Sequence, residues 1–283
     1  MKAAHSKASG HAAGSGPFAA PATSERATIF ERGDLSAARV TVAITLYDYE
    51  GYIVETLESI YDQTLPETAI VVLDDASTDE GPDRVRRWME RTHERFAGVL
   101  LARHVRNAGL AHARNGAFDA ARSELIMVLD ADNHLHPRCL ERLADSLGDC
   151  TGDDDPGFAY SIIERFGRHR GLMGTDTFNR ELLSKGNYID AMAMVRKSVW
   201  QRVGGYTRMD VGGWEDYDFW CRCVEAGIEG LFVPEILCRY RHHGESMLAR
   251  ETDAGRNARR VRREMEQRHP WLELGWVDDA PVG

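Results

Sequence analysis

The sequence predicts an α/β fold with a mainly parallel central sheet flanked by helices. Apolar runs typical of buried strands alternate with amphipathic segments between residues 40 and 133. This alternation implies parallel strands joined by right-handed crossovers. Two of the runs, 69–73 and 125–129, end abruptly in carboxylates. Because open α/β sheets bind ligands at the carboxyl ends of their strands, the pattern predicts the place of a site as well as the fold class.

The first half of the fold is predicted from seven consecutive segments. Their strands are rich in branched aliphatic residues, and the segment after the first strand carries Ile53, Leu57 and Ile60 at helical spacing. Pro66 marks the end of that helical segment, because helices usually stop before a proline. In chain order the predicted elements are strand 40–47, helix 52–60, strand 69–73, helix 82–96, strand 99–101, helix 107–118 and strand 125–129.

The second half and the two ends of the chain have weaker patterns. Residues 1–38 are rich in Ala, Ser, Gly and His without a sustained period, so we expect a mostly disordered arm. Residues 168–187 contain glycines and no clear period, which favours irregular chain. The remaining predicted elements are helix 138–147, strand 158–163, strand 188–195 leading into helix 196–200, helix 214–226, strands 231–234 and 237–243, and an Arg-rich terminal helix 254–268.

Composition narrows the class of protein. The chain has 283 residues, 43% of them hydrophobic, which is enough for one large domain. A net charge of -10 disfavours a nucleic-acid partner, because phosphate neutralisation needs clustered Lys and Arg. Five cysteines without framework spacing indicate free thiols in a reducing compartment. No apolar run approaches the roughly 20 residues that span a bilayer, and the N-terminus has no secretory-type hydrophobic segment, so a cytoplasmic protein is expected.

Asp130 and Asp132 are the strongest chemical signal in the sequence. They stand two residues apart at the end of a buried strand, so both side chains share a face if the backbone stays extended. Two like charges on one face are stabilised by a hard divalent cation with oxygen ligands. The alternative is a polar turn that caps the next helix. A third acidic cluster, Glu215, Asp216 and Asp218, has the same alternative, because carboxylates are favoured in the first turn of a helix.

Five motifs in register resemble the family 2 glycosyltransferases. Residues 40–79 resemble the opening of these proteins, and 107–115 resembles the segment that follows. Leu129-Asp130-Ala131-Asp132-Asn133 resembles the Asp-x-Asp metal motif, Trp214-Glu215-Asp216 the Glu-Asp catalytic motif, and 240–247 the closing motif. Two departures are visible: Thr45-Leu46-Tyr47-Asp48 replaces a common Pro-Thr-Tyr-Asn, and Asp75-Ala76-Ser77 replaces a common Asp-Gly-Ser.

The resemblance implies a single GT-A-like domain with a Rossmann-like, mainly parallel sheet and a smaller acceptor-side part. We expect this domain at 39–250, with a nucleotide-sugar half at about 39–133 and an acceptor half at about 134–250. Residues 251–283 would form a C-terminal helix and tail. The implied partners are a nucleotide-diphosphate-sugar donor, with UDP as the default nucleotide, and a glycan or lipid-linked acceptor. The implied cofactor is Mn²⁺ or Mg²⁺.

The resemblance also implies roles for individual residues. Asp216 would be the general base, Glu215 would position the acceptor or the helix, and Trp214 would contact the acceptor. The metal would be held by Asp132, while Asp130 would face the ribose or the metal and His243 would approach the metal or the diphosphate. Tyr47 would lie against the base and Asp75 would accept a hydrogen bond from it. The full set expected to bind the nucleotide-sugar is Thr45, Tyr47, Asp75, Asn107, Gly109, Arg114, Asp130 and Ala131.

The sequence therefore predicts a metal-dependent inverting glycosyltransferase of cell-surface polysaccharide synthesis. The alternative is a catalytically silent sugar-nucleotide-binding module of a larger glycan-assembly protein. A nucleotidyltransferase is disfavoured, because the segment after the first strand is acidic where that class carries a Gly-rich phosphate loop with a basic residue. The basic face of the terminal helix indicates either a solvated surface or peripheral contact with an anionic lipid surface at the inner face of the membrane.

Overall fold

The structure is a computed structural model that describes residues 18–148, 155–243 and 255–275. A ten-stranded mixed sheet forms its centre. The strands are β1 (Arg26–Gly33), β2 (Val40–Leu46), β3 (Thr68–Asp74), β4 (Gly98–His104), β5 (Leu125–Asp130), β6 (His134–Leu135), β7 (Phe158–Gly167), β8 (Gly171–Met173), β9 (Ala193–Arg196) and β10 (Gly230–His242). The helices are α1 (Ile53–Tyr61), α2 (Gly81–Thr92), α3 (Leu110–Ala120), α4 (Cys139–Leu147), α5 (Arg180–Lys185), α6 (Lys197–Arg202), α7 (Glu215–Glu225) and α8 (Gly255–Arg268).

The first half of the sheet has the predicted parallel arrangement. Strands β4, β3, β2 and β5 lie side by side in that order, and each neighbouring pair is parallel. Their central positions are fully buried aliphatic side chains, as expected for strands covered on both faces. Helix α3 covers one face, and helices α1 and α2 cover the other. All four carboxyl ends therefore meet at one edge.

The second half of the sheet is mixed. Strand β9 runs antiparallel between β5 and β7, and β10 runs parallel to β7. The full order is β1-β4-β3-β2-β5-β9-β7-β10-β6, with β8 paired to β7. Helices α7 and α8 pack on the face that α3 covers, and α4 packs on the other face. The α/β class is confirmed, with the parallel pairs concentrated in the first half.

The predicted disordered arm is wrong for the stretch that forms β1. Residues 26–33 pair antiparallel with β4 and extend the sheet by one strand. Ile29 is exposed and Phe30 is only half-buried, so the strand depends on the ladder that β4 offers more than on apolar burial of its own. The first 17 residues of the arm lie outside the described residues.

Two other predicted segments differ from the structure. Residues 168–187 are not wholly irregular, because they contain β8 and the short helix α5, whose N-cap Asn179 accepts a hydrogen bond from the Leu182 N–H. The two strands predicted at 231–234 and 237–243 form one strand, β10. Its register with β7 shifts between Val233 and Ile236, which accommodates Pro234 because proline cannot donate to the ladder.

None of the helices in the described parts of the chain combines the length and the apolar character needed to cross a bilayer.

Candidate active site

The site lies where the carboxyl ends of β2, β3 and β5 meet. Thr45 is in register with Leu73 on β3 and with Asp130 on β5, so the three strands end at one level. The chain then leaves the sheet through tight turns. Among described residues, Asp48, Ala76 and Trp214 are the non-glycine positions with positive φ, at 54°, 63° and 64°. Asp48 and Ala76 follow β2 and β3, and Trp214 precedes α7, so strained backbone is concentrated near the predicted motifs.

Asp75 organises the loop after β4. Its carboxylate is hydrogen-bonded to His104 Nδ1 at 2.6 Å and accepts from the N–H groups of Ala108 and Gly109 at 2.9 and 2.7 Å. Burial raises the pKa of Asp75, but these hydrogen bonds lower it below its usual range overall. Gly109 has a φ of +89° and caps α3, while Asn107 is exposed beside it. The contact predicted between Asp75 and a base stays a prediction.

Arg114 connects two of the acidic motifs. It is buried on α3, and its guanidinium donates to Asp130 Oδ1 at 2.9 Å and to Glu215 Oε1. Burial opposes the charge of Arg114, but Asp130 and Glu215 raise its pKa above the ordinary value. The guanidinium therefore stays charged and holds the first turn of α7 against the end of β5. The sequence analysis placed Arg114 in the nucleotide-sugar set and did not single out Asp130 and Glu215 as its partners.

Asp132 and His243 form the centre predicted to hold a metal. Asp132 Oδ2 and His243 Nε2 are hydrogen-bonded at 2.8 Å, and both side chains are nearly buried. The imidazole lies between Tyr52 and Tyr49, with ring centroids 5.0 and 5.9 Å away. Burial, followed by the charge of Asp130, raises the pKa of Asp132 to about 6, and His243 acts in the opposite direction. Residues 244–247 of the closing motif lie outside the described residues.

Arg241, near the end of β10 and two residues before His243, holds the turn that carries Asp132. Its Nε donates to the Asp132 carbonyl at 3.0 Å, and its guanidinium bonds Glu55 at 2.5 Å. The Arg241 N–H also donates to Asn133 Oδ1 at 2.9 Å. The turn after β5 is thus held against the end of β10. This contact brings together Asp132 and His243, which are 111 positions apart in the sequence.

The metal-ligating atoms of these side chains suit a divalent cation whose coordination is completed by oxygen atoms of the substrate. Within the described ranges, no group of three or more His, Cys, Asp and Glu side chains is arranged to hold a metal ion. Asp132 offers a carboxylate oxygen and His243 an imidazole nitrogen, with the second carboxylate, Asp130, close by in sequence. Mg²⁺ and related ions are commonly bound by one or two carboxylates together with substrate phosphates and water. A site with few protein ligands is therefore consistent with a metal that binds together with a diphosphate.

Asp216 lies at the start of α7, beside Glu215. Its Oδ2 accepts a hydrogen bond from Asn187 Nδ2 at 3.2 Å, and its Oδ1 accepts from the Tyr217 N–H at 2.7 Å. Burial, followed by the charge of Glu215, raises the pKa of Asp216 to about 8. Trp214 precedes this pair, and its ring meets Tyr217 edge to face at 5.5 Å.

Three further residues of the predicted nucleotide-sugar set lie at the ends of β2 and β5. Tyr47 is 45% exposed just after β2, so its ring is accessible to a ligand. Thr45 is half-buried at the end of the same strand. Ala131 is buried, and its carbonyl accepts a hydrogen bond from Thr56 Oγ1 at 2.9 Å. Its backbone is therefore held by α1 between the two carboxylates of the Asp-x-Asp motif.

Asp190 is an acidic residue of the site that the sequence analysis missed. It lies three residues before β9, which runs antiparallel beside β5, and it is close enough to Asp130, Arg114 and Asp132 to interact with their charges. Its Oδ1 accepts from the Met192 N–H at 2.9 Å. Burial, together with the charge of Asp130, raises the pKa of Asp190 to about 6, and the Met192 N–H acts in the opposite direction. The only signal in the sequence is one acid ahead of an apolar run, which does not reveal that the run is antiparallel.

Comparisons with known proteins identify the family of this chain. The model of the family described as "Glycosyl transferase family 2" matches residues 41–204. The putative glycosyltransferase EpsE of Bacillus subtilis is 24% identical over 217 residues, which are 76% of this chain and 77% of EpsE. The putative teichuronic acid biosynthesis glycosyltransferase TuaG of the same organism is 24% identical over 241 residues, 84% of this chain and 92% of TuaG. A third relative, the putative glycosyltransferase EpsH, is 32% identical over 112 residues, and the match spans about a third of its length.

Solved structures share the fold. TarS residues 1–349 of S. aureus in complex with UDP-GlcNAc align with a TM-score of 0.62 at 16% identity, over 75% of this chain and 61% of that chain. The mannosyltransferase PcManGT from Pyrobaculum calidifontis, in complex with GDP-Man and Mn²⁺, aligns with a TM-score of 0.55 at 24% identity, over 77% of this chain and 61% of that chain. These structures confirm the predicted GT-A fold. With the family model matching more than half of its length, the chain belongs to glycosyl transferase family 2 and is a glycosyltransferase.

Proposed function

We propose that this enzyme is a metal-dependent, inverting glycosyltransferase. It would move a sugar from a nucleotide-diphosphate-sugar, with a UDP-sugar as the default donor, to a hydroxyl of a glycan or lipid-linked acceptor in cell-surface polysaccharide synthesis. One observation carries the proposal: the Asp132–His243 pair and the Asp130–Arg114–Glu215 bridge with Asp216 meet at one edge of the sheet. The nucleotide-sugars bound to TarS and PcManGT support the donor class, and the name of TuaG supports the pathway.

The donor would lie across the ends of β2, β3 and β5. Tyr47 is exposed enough to stack on a base, and Asp75 lies at the next strand end. The other members of the nucleotide-sugar set that we propose are Thr45, Asn107, Gly109, Arg114, Asp130 and Ala131. Asp132 and His243, with Asp130 near them, would hold Mn²⁺ or Mg²⁺, which when bound supplies a positive charge for the leaving diphosphate. The Mn²⁺ in PcManGT supports this choice of ions.

The proton of the acceptor hydroxyl would pass to Asp216. A positioned carboxylate within about 3 Å of that hydroxyl contributes roughly 10²–10⁴ in rate. The raised pKa of Asp216 makes it a stronger base than an ordinary aspartate once it is ionised. Asn187 orients the carboxylate through its amide. Glu215 does not take the proton in this proposal, because Arg114 engages it, and Trp214 would contact the acceptor. Direct attack on the anomeric carbon inverts its configuration.

We also propose that the enzyme acts in the cytoplasm, at the inner face of the membrane. The four cysteines within the described residues are buried and unpaired, which is consistent with a reducing compartment. Helix α8 buries Val261 and Met265 against the core and leaves Arg260 and Arg263 exposed. An exposed pair of arginines supports contact with anionic lipid headgroups.

The test is calorimetric binding of UDP, GDP and dTDP, each with and without Mn²⁺. We expect one nucleotide to bind in a metal-dependent way to the wild type, and Asp132→Ala to lose that binding. The matched control is Asp83→Ala, which removes an exposed carboxylate of α2 and should bind as the wild type does. Absence of binding by all three nucleotides would contradict the donor site.

The alternative is the silent sugar-nucleotide-binding module. Such a module would bind the nucleotide-sugar but release no nucleotide when acceptors are added. Release of nucleotide by the wild type, at least 100-fold slower in Asp216→Asn, is the outcome expected of the enzyme.

A further inference from the structure

A group of basic side chains at the carboxyl ends of β7 and β10 is not used by the proposed reaction. We call it the basic hairpin cluster; it consists of Arg165, Arg168, His169, Arg170 and His242. Strands β7 and β8 are the two arms of this hairpin, and Arg165 is in register with Gly171 across it. On the other side, the Arg168 N–H donates to the His242 carbonyl at 3.0 Å, which joins the hairpin to β10.

The cluster is compact. The rings of His169 and His242 meet edge to face, with centroids 4.3 Å apart. Arg165 and Arg168 are both near enough to act on the charge of His242. The guanidinium of Arg165 lies over Gly171, where a Cβ atom would come within 3.1 Å of its Nη2. The lack of a side chain at Gly171 therefore leaves the space that this arginine fills.

Within the part of the chain that the structure describes, no carboxylate balances the positive charge of the cluster. Among the described residues, Arg165, Arg168 and Arg170 have no carboxylate partner, and the buried Nε of Arg165 has no hydrogen-bond acceptor. The nearest acid on β7, Glu164, is engaged by Arg239 at 2.8 Å. Like charges gathered without a counterion repel one another. In a chain of net charge -10, such a concentration of unpaired guanidinium groups indicates a place for an anion.

The position of the cluster favours the acceptor over the donor. Alternation along β10 puts His242 on the same face as Tyr240, two residues and about 7 Å nearer the centre of the strand. His242 is followed directly by His243 of the proposed metal pair. In the sheet order, β7 is separated from β2 by β5 and β9, which is about 14 Å at the usual strand spacing. The cluster thus lies at the ends of β7 and β10, apart from the ends of β2 and β3 that are proposed to bind the nucleotide.

We propose that the basic hairpin cluster binds a phosphate or diphosphate group carried by the acceptor. Guanidinium groups recognise phosphate oxygens with paired hydrogen bonds, and three unpaired ones match a multiply charged anion better than a single carboxylate. The inference rests on the proposed glycosyl transfer, since it assigns the acceptor of that same reaction. The acceptor would be a phosphorylated glycan or a glycan linked to a lipid phosphate.

The experiment uses inorganic pyrophosphate as the probe, in metal-free buffer with EDTA so that the proposed metal site is not occupied. Calorimetric binding is compared between the wild type, Arg168→Gln/Arg170→Gln and the charge-matched control Arg87→Gln/Arg91→Gln on α2. Both pairs of arginines are exposed, so neither double variant removes buried contacts. We expect the dissociation constant to rise at least tenfold in the hairpin variant and to stay unchanged in the control. No binding to the wild type, or equal weakening in both variants, overturns the proposal.

Two further measurements separate other sources of phosphate. Binding of nucleotide with Mn²⁺ should be the same in the hairpin variant and the wild type; a tenfold loss there would assign the cluster to the donor diphosphate and overturn the proposal. Sedimentation with phosphatidylglycerol vesicles should not distinguish the hairpin variant from the wild type. If the hairpin variant loses vesicle binding and keeps pyrophosphate binding, the ligand is the membrane surface. The pyrophosphate measurement needs no metal or nucleotide. It therefore shows whether the basic hairpin cluster binds phosphate even if no nucleotide binds to the proposed donor site.

Discussion

At the scale of single residues, Arg114 sets the chemistry of the carboxylates around it. It neutralises Asp130 and Glu215, and it leaves Asp216 without a cationic hydrogen-bond partner among the described residues. Two adjacent acids on α7 thus have different surroundings: Glu215 is ion-paired and buried, and Asp216 accepts hydrogen bonds from the Asn187 amide and the Tyr217 backbone N–H. Different environments for paired carboxylates are what separate a structural acid from a base.

The raised pKa of Asp216 predicts a pH dependence. Only the ionised carboxylate can accept the hydroxyl proton, so kcat/KM for the acceptor should rise as pH increases through the pKa, which lies at about 8 without ligands. A bound cation favours the ionised form and should lower the apparent value, while keeping it above that of an ordinary aspartate. The measurement is a profile of kcat/KM from pH 5.5 to 9 at saturating donor. Asp216→Asn should lower the rate 10²–10⁴-fold and flatten the profile; a wild-type profile already flat between pH 5.5 and 8 would contradict this role.

Ala76 predicts a gain in stability from a glycine. Its φ of 63° lies in the left-handed region, where a Cβ atom costs about 1–2 kcal/mol. Glycine removes that strain but adds entropy to the unfolded chain, so Ala76→Gly should raise the free energy of unfolding by a net ~0.5–1 kcal/mol. Urea denaturation measures it. The control is Ala97→Gly, which replaces an alanine whose φ is negative and should destabilise the protein. Equal effects at the two positions would show that strain at Ala76 is not the cause.

Single residues differ in how far the sequence revealed them. Asp132 and His243 were assigned from motifs 111 positions apart, and the structure brings them to 2.8 Å. Asp190 could not be assigned, because its place depends on β9 running antiparallel beside β5. The bridge made by Arg114 was equally hidden, since an arginine on a helix forms a pair only with acids that the fold brings to it.

At the scale of elements, a buried charge network fastens α8 to α7. Asp218 on α7 is engaged by Arg222 at 2.8 Å, by His269 at 3.1 Å and by Arg268 at 3.4 Å. Burial raises the pKa of Asp218, but His269 and Arg222 lower it to about 2 overall. Burial lowers the pKa of His269, while hydrogen bonds to Asp218 and Glu225 raise it above its ordinary value. The docking of the C-terminal helix therefore depends on these charges as well as on Val261 and Met265.

The network predicts a change in stability with pH. The Asp218 contribution is complete above the unfolded pKa of about 3.9 and is lost as pH falls toward 2. The His269 contribution is complete below its unfolded pKa of about 6.5 and is lost as pH rises through the raised folded value. Asp218→Asn should cost about 3 kcal/mol at pH 6, because it leaves Arg222 and His269 without a buried counter-charge. Urea denaturation at pH 6 and 9 measures the cost of Asp218→Asn and the loss of the His269 contribution, and a third series at about pH 3 measures the loss of the Asp218 contribution.

The control for Asp218 is an exposed ion pair. Glu181→Gln removes the partner of Lys185 on the surface of α5 and should leave the denaturation midpoint unchanged. If Asp218→Asn is no more destabilising than Glu181→Gln, or if its cost is the same at pH 6 and pH 9, the network does not hold α8 in the way proposed.

Elements were predictable where burial alone determines them. Strands β2, β3 and β5 were read from continuous apolar runs that lie under helices on both faces. Strand β1 was not, because it is an edge strand that alternates little and is stabilised by its ladder with β4. The sequence predicted two strands, separated after Pro234, where the structure has the single strand β10. A bulge lets the strand continue past this proline. Local sequence thus reports side-chain burial well and backbone pairing poorly.

At the scale of the whole molecule, the sheet gathers opposite charges at one edge. Asp130, Asp132 and Asp190 lie around the end of β5, while the basic hairpin cluster lies beyond it at the ends of β7 and β10. A chain of net charge -10 therefore places an acidic centre suited to a cation beside a basic surface suited to an anion. The parallel half of the sheet supplies the acidic centre, and the mixed half supplies the basic surface. Composition alone predicted an acidic protein and gave no sign of this division.

The acidic centre predicts stabilisation of the whole fold by its ligands. A ligand that binds only the folded state adds about 2.7 kcal/mol at 100 times its dissociation constant. For a domain of this size, that corresponds to a rise in Tm of roughly 5–10 °C. Nucleotide with Mn²⁺ should produce this rise, and Mn²⁺ alone should produce a smaller one, because Asp132 and His243 supply too few ligands for tight binding without a diphosphate. Differential scanning calorimetry of the wild type, Asp132→Ala and Asp83→Ala measures it. The effect should vanish in the first variant and persist in the second, and an equal rise in both would place the cation elsewhere on this acidic chain.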